Sequence, residues 1–258
     1  MRYKISSLYS SPIPHLSTKL GNSIESGLTA GNGSAVVFFR ADDIGVPSQQ
    51  FFEMISLFIK HDMPLCLAVV PTWLTERRWH RLKEATAGAR LCWHQHGWRH
   101  ANHEYSGKKQ EFGDSRPAED LQRDLLRGRE RLSQLIGSEF FPFFTPPWNR
   151  CGEKTLALLQ EFDFRGISRS SGAIPSATDL PDFQVNVDLH TGKEQEPELS
   201  LHLLLMQLSR SMTYGTSGIM LHHQLMNSQA LLLLDQLLQS VRDFKSLQPL
   251  QFQDMSTA

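Results

Sequence analysis

Two short clusters far apart in the chain, Asp42-Asp43 and His96-Gly97-Trp98-Arg99-His100, together hold the ligands for a transition-metal ion plus a spare carboxylate. Two imidazoles four positions apart can meet one ion, and a carboxylate from elsewhere can close the set. One coordination position then stays open for water, and the second carboxylate is free to act as a base. That combination is what metal-assisted hydrolysis requires. Other polar residues fall in comparable places: His94, Pro146-Pro147-Trp148-Asn149-Arg150, Asp188 and His222-His223.

Each of these groups follows a short apolar run that ends where a loop begins. Runs at 35–40, 65–70, 90–95, 140–144, 165–168, 184–188, 218–221 and 250–252 read as strands. Between them lie helical patterns at 48–60 (Ser48 as N-cap), up to about 87, 117–136 (closed by Gly137), 152–162, 199–214 and 229–244. Strands alternating with helices predict parallel βα units. Seven or eight units in one α/β domain of this length point to a single-domain, distorted (β/α) barrel of about seven strands, with an open doubly wound sheet as the alternative. In a barrel the C-terminal strand ends gather on one face, so residues scattered in sequence would converge there. Residues 1–33, rich in Ser, Gly, Asn and Pro, read as a loosely ordered arm, and 34–258 as the barrel domain.

The composition narrows the function classes. A chain of 258 residues with a formal net charge of −1 offers no broad attraction to nucleic acid or anionic lipid. The alternating charges at 119–131 read as a solvated helix face. Leucine-rich stretches at 201–208 and 231–238 are too short to span a bilayer and read as core helices. Cys66, Cys92 and Cys151 form no CxxC pair and fit reduced thiols. No secretion signal is visible in the first 20 residues, so a cytoplasmic location is expected. No phosphate-binding glycine loop of the usual spacings is present.

Several of these residues admit a plainer role. Asp42-Asp43 is also a turn signal. His94, two residues before His96 and on the same strand face, could replace a ligand or orient one from behind. Successive strand residues alternate faces, so only one of His222 and His223 should enter a site; His222 is preferred. Trp148 could stack on a sugar face, whereas Trp98, Trp73, Trp79 and Trp93 read as packing.

The order Asp-Asp, His-Gly-X-X-His, Pro-Pro-Trp and a late Leu-His resembles the polysaccharide deacetylase superfamily, the NodB-homology proteins, over roughly residues 36–252. The resemblance implies a distorted barrel and a divalent metal used to hydrolyse N- or O-acetyl groups. It implies Asp42 as catalytic base, Asp43, His96 and His100 as metal ligands, and His222 as catalytic acid. Zinc is the expected ion; iron, cobalt, nickel or manganese suit similar ligands. The family's third motif begins with an arginine that steadies the base, where this chain has Thr145, and Arg150 is a candidate replacement. Asp188 lacks the tryptophan that usually accompanies it, and could hydrogen-bond the late histidine. Trp148, Arg150 and Asp188 are therefore the candidate substrate-binding residues. An acetylated sugar, or a related small amide, is the expected substrate. A non-sugar amidohydrolase and a catalytically silent carbohydrate-binding module are the rival readings.

Overall fold

The structure is a computed structural model, and it describes residues 5–256. Its strands are β1 (Ala35–Ile44), β2 (Leu65–Val69), β3 (Leu91–His96), β4 (Phe140–Thr145), β5 (Gly166–Ile167), β6 (Val187–Asp188), β7 (Thr216–Leu221) and β8 (Leu247–Pro249). The helices are α1 (Leu16–Ala30), α2 (Gln49–His61), α3 (Glu76–Ala85), α4 (Ala118–Ile136), α5 (Glu153–Glu161), α6 (Pro197–Thr213), α7 (Ser228–Asp243) and α8 (Phe252–Met255). The parallel sheet runs β5-β4-β3-β2-β1-β7-β6, and β8 pairs with the start of β1. Its two open ends are joined by the segment leading into β6. Phe183 and Val185 donate to the carbonyls of Ile167 and Arg169, and Asn186 donates to Gly218. The sheet therefore curls into the expected distorted barrel.

Local chemistry explains the helix limits. The Ser48 hydroxyl accepts the Phe51 N–H and starts α2, while Gly137, at φ 70°, ends α4. Two expectations differ. The last strand lies three residues earlier than 250–252, because a reciprocal capping box between Gln251 and Asp254 starts α8. Phe252 then closes the barrel beneath the site, stacked on Phe183 at 4.9 Å and edge-on to Phe38 and Phe143.

The second difference concerns the loosely ordered arm; its residues 1–4 lie outside the described residues. From residue 5 onward this segment packs one side, including Leu8 and Tyr9, onto the core. Leu16, Leu20, Ile24 and Leu28 recur every four positions and are buried against α6 and α7. That narrow stripe is hidden in the sequence by the Ser, Gly and Asn around it. At Gly27 a Cβ would lie 2.2 Å from the Ser209 carbonyl oxygen, so only glycine permits the close α1–α6 approach. Among the described residues no helix is long and apolar enough to cross a membrane, and Cys66, Cys92 and Cys151 are free and buried. Ile24→Ala is expected to cost about 2–5 kcal/mol in equilibrium denaturation, as for a core truncation. A loss below about 0.5 kcal/mol, the scale of surface changes, would mark residues 16–30 as peripheral.

Candidate metal centre and catalytic site

On a regular strand Asp42 and Asp43 would point to opposite faces. The end of β1 is not regular. Asp43 sits at φ 61°, and three steps from Ala41 to Ile44 are matched by two from Leu67 to Val69 on β2. This bulge re-aims one carboxylate so that both enter the same space. Gln224 holds the turned peptide by donating to the Asp43 carbonyl at 2.8 Å.

The Asp43, His96 and His100 ligand atoms lie within 4.8 Å of one another. Asp43 Oδ1 stands 3.4 Å from His96 Nε2 and 3.2 Å from His100 Nε2. Donors about 2.0–2.1 Å from a tetrahedral ion are separated by about 3.3 Å, so the spacing suits such an ion. Asp43 Oδ1 is buried without a hydrogen-bond partner, as expected of an atom reserved for something else. His96 Nδ1 is 2.9 Å from the Thr145 carbonyl, which accepts its proton and turns Nε2 toward Asp43. The residues present therefore fit a divalent cation. His94 lies deeper, bonded to Thr145 Oγ1 at 2.8 Å, and burial pushes its imidazole down to about 3. It supports the site from below and is outside the ligand cluster.

The loop carrying His100 is held by Glu111, a residue with no part in the sequence motifs. Its carboxylate is buried and accepts the N–H groups of Trp98 (3.1 Å), Arg99 (2.7 Å) and His100 (3.2 Å). Burial raises its carboxyl above the usual range, and the Arg99 and Trp98 N–H groups work against the rise.

Asp42 is 3% exposed and grips Arg40 through two 2.8 Å bonds, from Nε to Oδ1 and from Nη2 to Oδ2. Burial alone would raise this carboxyl. The Arg40 guanidinium, with His96 and His222 nearby, overrides it and holds Asp42 below its ordinary value. Arg40 is itself 0% exposed and also donates to Ser168 Oγ (2.7 Å) and Asn149 Oδ1 (2.6 Å). Arg40 is thus the arginine that holds Asp42, from a position other than the one at 145 where the resemblance would place it. Arg150 does not: its guanidinium reaches the Lys109 carbonyl at 3.4 Å and leaves Asp42 alone. A signal was present, because Arg40 is two residues before Asp42 and hence on the same face of β1.

His222 follows β7, whose register aligns Leu221 with Ala41 and so sets His222 beside Asp42. His223 turns away into the core, edge-on to Phe51 at 5.6 Å. Asp188 does not bond the late histidine. Its carboxylate caps a turn, accepting the N–H groups of His190 and Thr191, both at 3.0 Å. His190 meets the backbone of that histidine, its Nδ1 accepting the His222 main-chain N–H at 3.2 Å. Burial, with His222 close by, pushes His190 down to about 3, consistent with a neutral acceptor. Tyr9 donates to the Leu189 carbonyl at 2.5 Å and lies against the His190 ring.

Two indoles flank His100. Trp148, in a left-handed backbone at φ 56°, packs its ring 4.5 Å from the imidazole, and Trp73 packs 5.8 Å away on a separate loop. Trp73, read from sequence as packing alone, is thus part of the site wall. Trp98 packs against the cluster of Phe112, Leu121 and Phe144.

No family model matches the sequence, and no curated protein matches it either. Solved structures do resemble it. A polysaccharide deacetylase from Mycobacterium smegmatis aligns with TM-score 0.64 at 16% identity, covering 86% of this chain and 88% of that one. A polysaccharide deacetylase from Pseudomonas aeruginosa gives 0.61 at 13% identity, covering 86% and 90%. A family 4 acetyl xylan esterase from Clostridium thermocellum, in complex with a cobalt ion, gives 0.53 at 12% identity, covering 86% and 90%. The chain accordingly has the fold of the polysaccharide deacetylases and family 4 carbohydrate esterases.

Proposed function

We propose that this chain is a metal-dependent hydrolase that removes an acetyl group from an N-acetylated sugar or small glycoconjugate. The observation that carries the reading is the pairing of a three-ligand cluster with an adjacent, separately held carboxylate. Asp43, His96 and His100 would hold the cation, with zinc first among the candidates. When bound, the ion would acidify a water and polarise the acetyl carbonyl.

The protein's own groups account for the remaining steps. Asp42 takes the proton from the attacking water, and Arg40 keeps that carboxylate ionised and fixed in direction. The water oxygen bonds to the carbonyl carbon, and the backbone N–H of Trp148 stabilises the charge growing on the carbonyl oxygen. The C–N bond then breaks, with His222 delivering a proton to the departing amine and acetate remaining. Trp148 and Arg150 form the rim on which a sugar face rests. Asp188 contributes indirectly, by fixing the turn that sets His190 against His222. A silent binding module would need neither Asp42 nor His222, which favours the enzyme.

Acetate release from acetylated amino sugars should stop on chelation and return with zinc or cobalt; activity that persists in metal-free protein contradicts the proposal. Asp42→Asn should lower kcat by about 10²–10⁴-fold with metal content unchanged, the range for loss of a general base. Full turnover in that variant would remove Asp42 from the mechanism. Arg40→Met leaves a buried unpaired carboxylate and should cost about 3–5 kcal/mol of stability. Adding Asp42→Asn should restore most of that stability without activity, and a double variant as unstable as the single one would refute the pairing.

A further inference from the structure

We propose that Glu111 is the positioning residue of the cation site, presetting His100 for the ion by anchoring the backbone of residues 98–100. The inference rests on the metal-centre reading above. Three consecutive N–H groups converging on one carboxylate form an anion-holding nest, filled here by the protein's own side chain. Three other polar backbone groups of the loop have separate partners. The Gly97 N–H donates to the Thr145 carbonyl (3.2 Å), the Gly97 carbonyl accepts from Gln95 Nε2 (3.0 Å), and the Trp98 carbonyl accepts from the Thr72 N–H (3.2 Å). Glu111 thus supplies the acceptors for the stretch that ends in His100, whose own backbone is left-handed at φ 58°.

Gly97 is tied to the same carboxylate. It adopts φ 57°, and a Cβ there would lie 2.1 Å from Glu111 Oε2 and 2.6 Å from Pro147 Cγ. The Glu111 carboxylate therefore occupies the space that a side chain at position 97 would fill. Its charge is met by N–H dipoles rather than by a cationic side chain. The nearby Arg116 spends its guanidinium on the Glu111 carbonyl (3.0 Å) and on Asp124 (2.6 Å). A buried negative charge directly behind a ligand loop both orients His100 and favours a dication in front of it. Partners of this kind typically contribute 10–100-fold to metal affinity.

Glu111→Gln keeps the shape but turns an N–H toward the nest. Two quantities should change in the folded variant: zinc affinity, measured by competition with a chromophoric chelator, and hydrogen exchange at amides 98–100 in metal-free protein. Affinity should fall about 10–100-fold, with exchange accelerated at those amides and unchanged in β1, β2 and β3. Zinc affinity equal to wild type would overturn the proposal even if stability dropped. Should Glu111→Gln not fold, Gly97→Ala presses on the same carboxylate from the opposite side, and unchanged affinity there is equally decisive. Failure of the wild-type protein to bind zinc or cobalt at all would remove the metal-centre reading and this inference with it. Wild-type binding with an indifferent Glu111→Gln removes the inference alone.

Discussion

A carboxylate with almost no contact with water is costly unless a cation meets it, and Asp42 is such a group. Arg40 meets it edge to edge from two residues away, and Ser168, Asn149 and the Met220 sulfur accept from its other guanidinium N–H groups. This cluster ties β1 to the segment after β5 and to the Pro-Pro-Trp loop. It also decides the division of labour between the two acids. Asp42 is committed to Arg40, whereas Asp43, turned by the bulge, presents an unpartnered oxygen to His96 and His100. Without Arg40, two adjacent carboxylates would compete for the same positive charge.

The barrel makes this possible by separating a polar top from an apolar base. Phe252 and its aromatic neighbours fill the lower interior, and His94 with Thr145 forms the transition to the ligand layer. Through Tyr9 and His190, the N-terminal segment reaches the backbone of His222. What reads as a loosely ordered arm therefore packs, through Tyr9, on the residue that meets the His222 main chain.

The alternation of strands and helices was legible because apolar runs, caps and Gly137 agree with one another locally. The ligand cluster was legible because Asp-Asp and His-X-X-X-His place metal-binding chemistry at strand ends. Other parts were not, for distinct physical reasons. Arg40 sits inside an apolar strand and resembles an ordinary polar interruption until the barrel interior is known to hold Asp42. Glu111 acts on backbone N–H groups, which leave no trace in side-chain spacing. Asp188 was a reasonable partner for the late histidine, yet its carboxylate is used up locally as a turn cap, and His190 meets the His222 main chain instead. Helix α1 was missed because its stripe is one residue wide per turn and diluted by small polar residues.

The account depends on three side chains sharing one ion while a fourth, adjacent in sequence, stays off it. Anomalous diffraction from zinc- or cobalt-soaked crystals tests this most directly. The expected result is a single peak about 2.0–2.2 Å from Asp43 Oδ1, His96 Nε2 and His100 Nε2, with Asp42 still paired to Arg40. A peak elsewhere, or Asp42 released from Arg40 to ligate the ion, would contradict it.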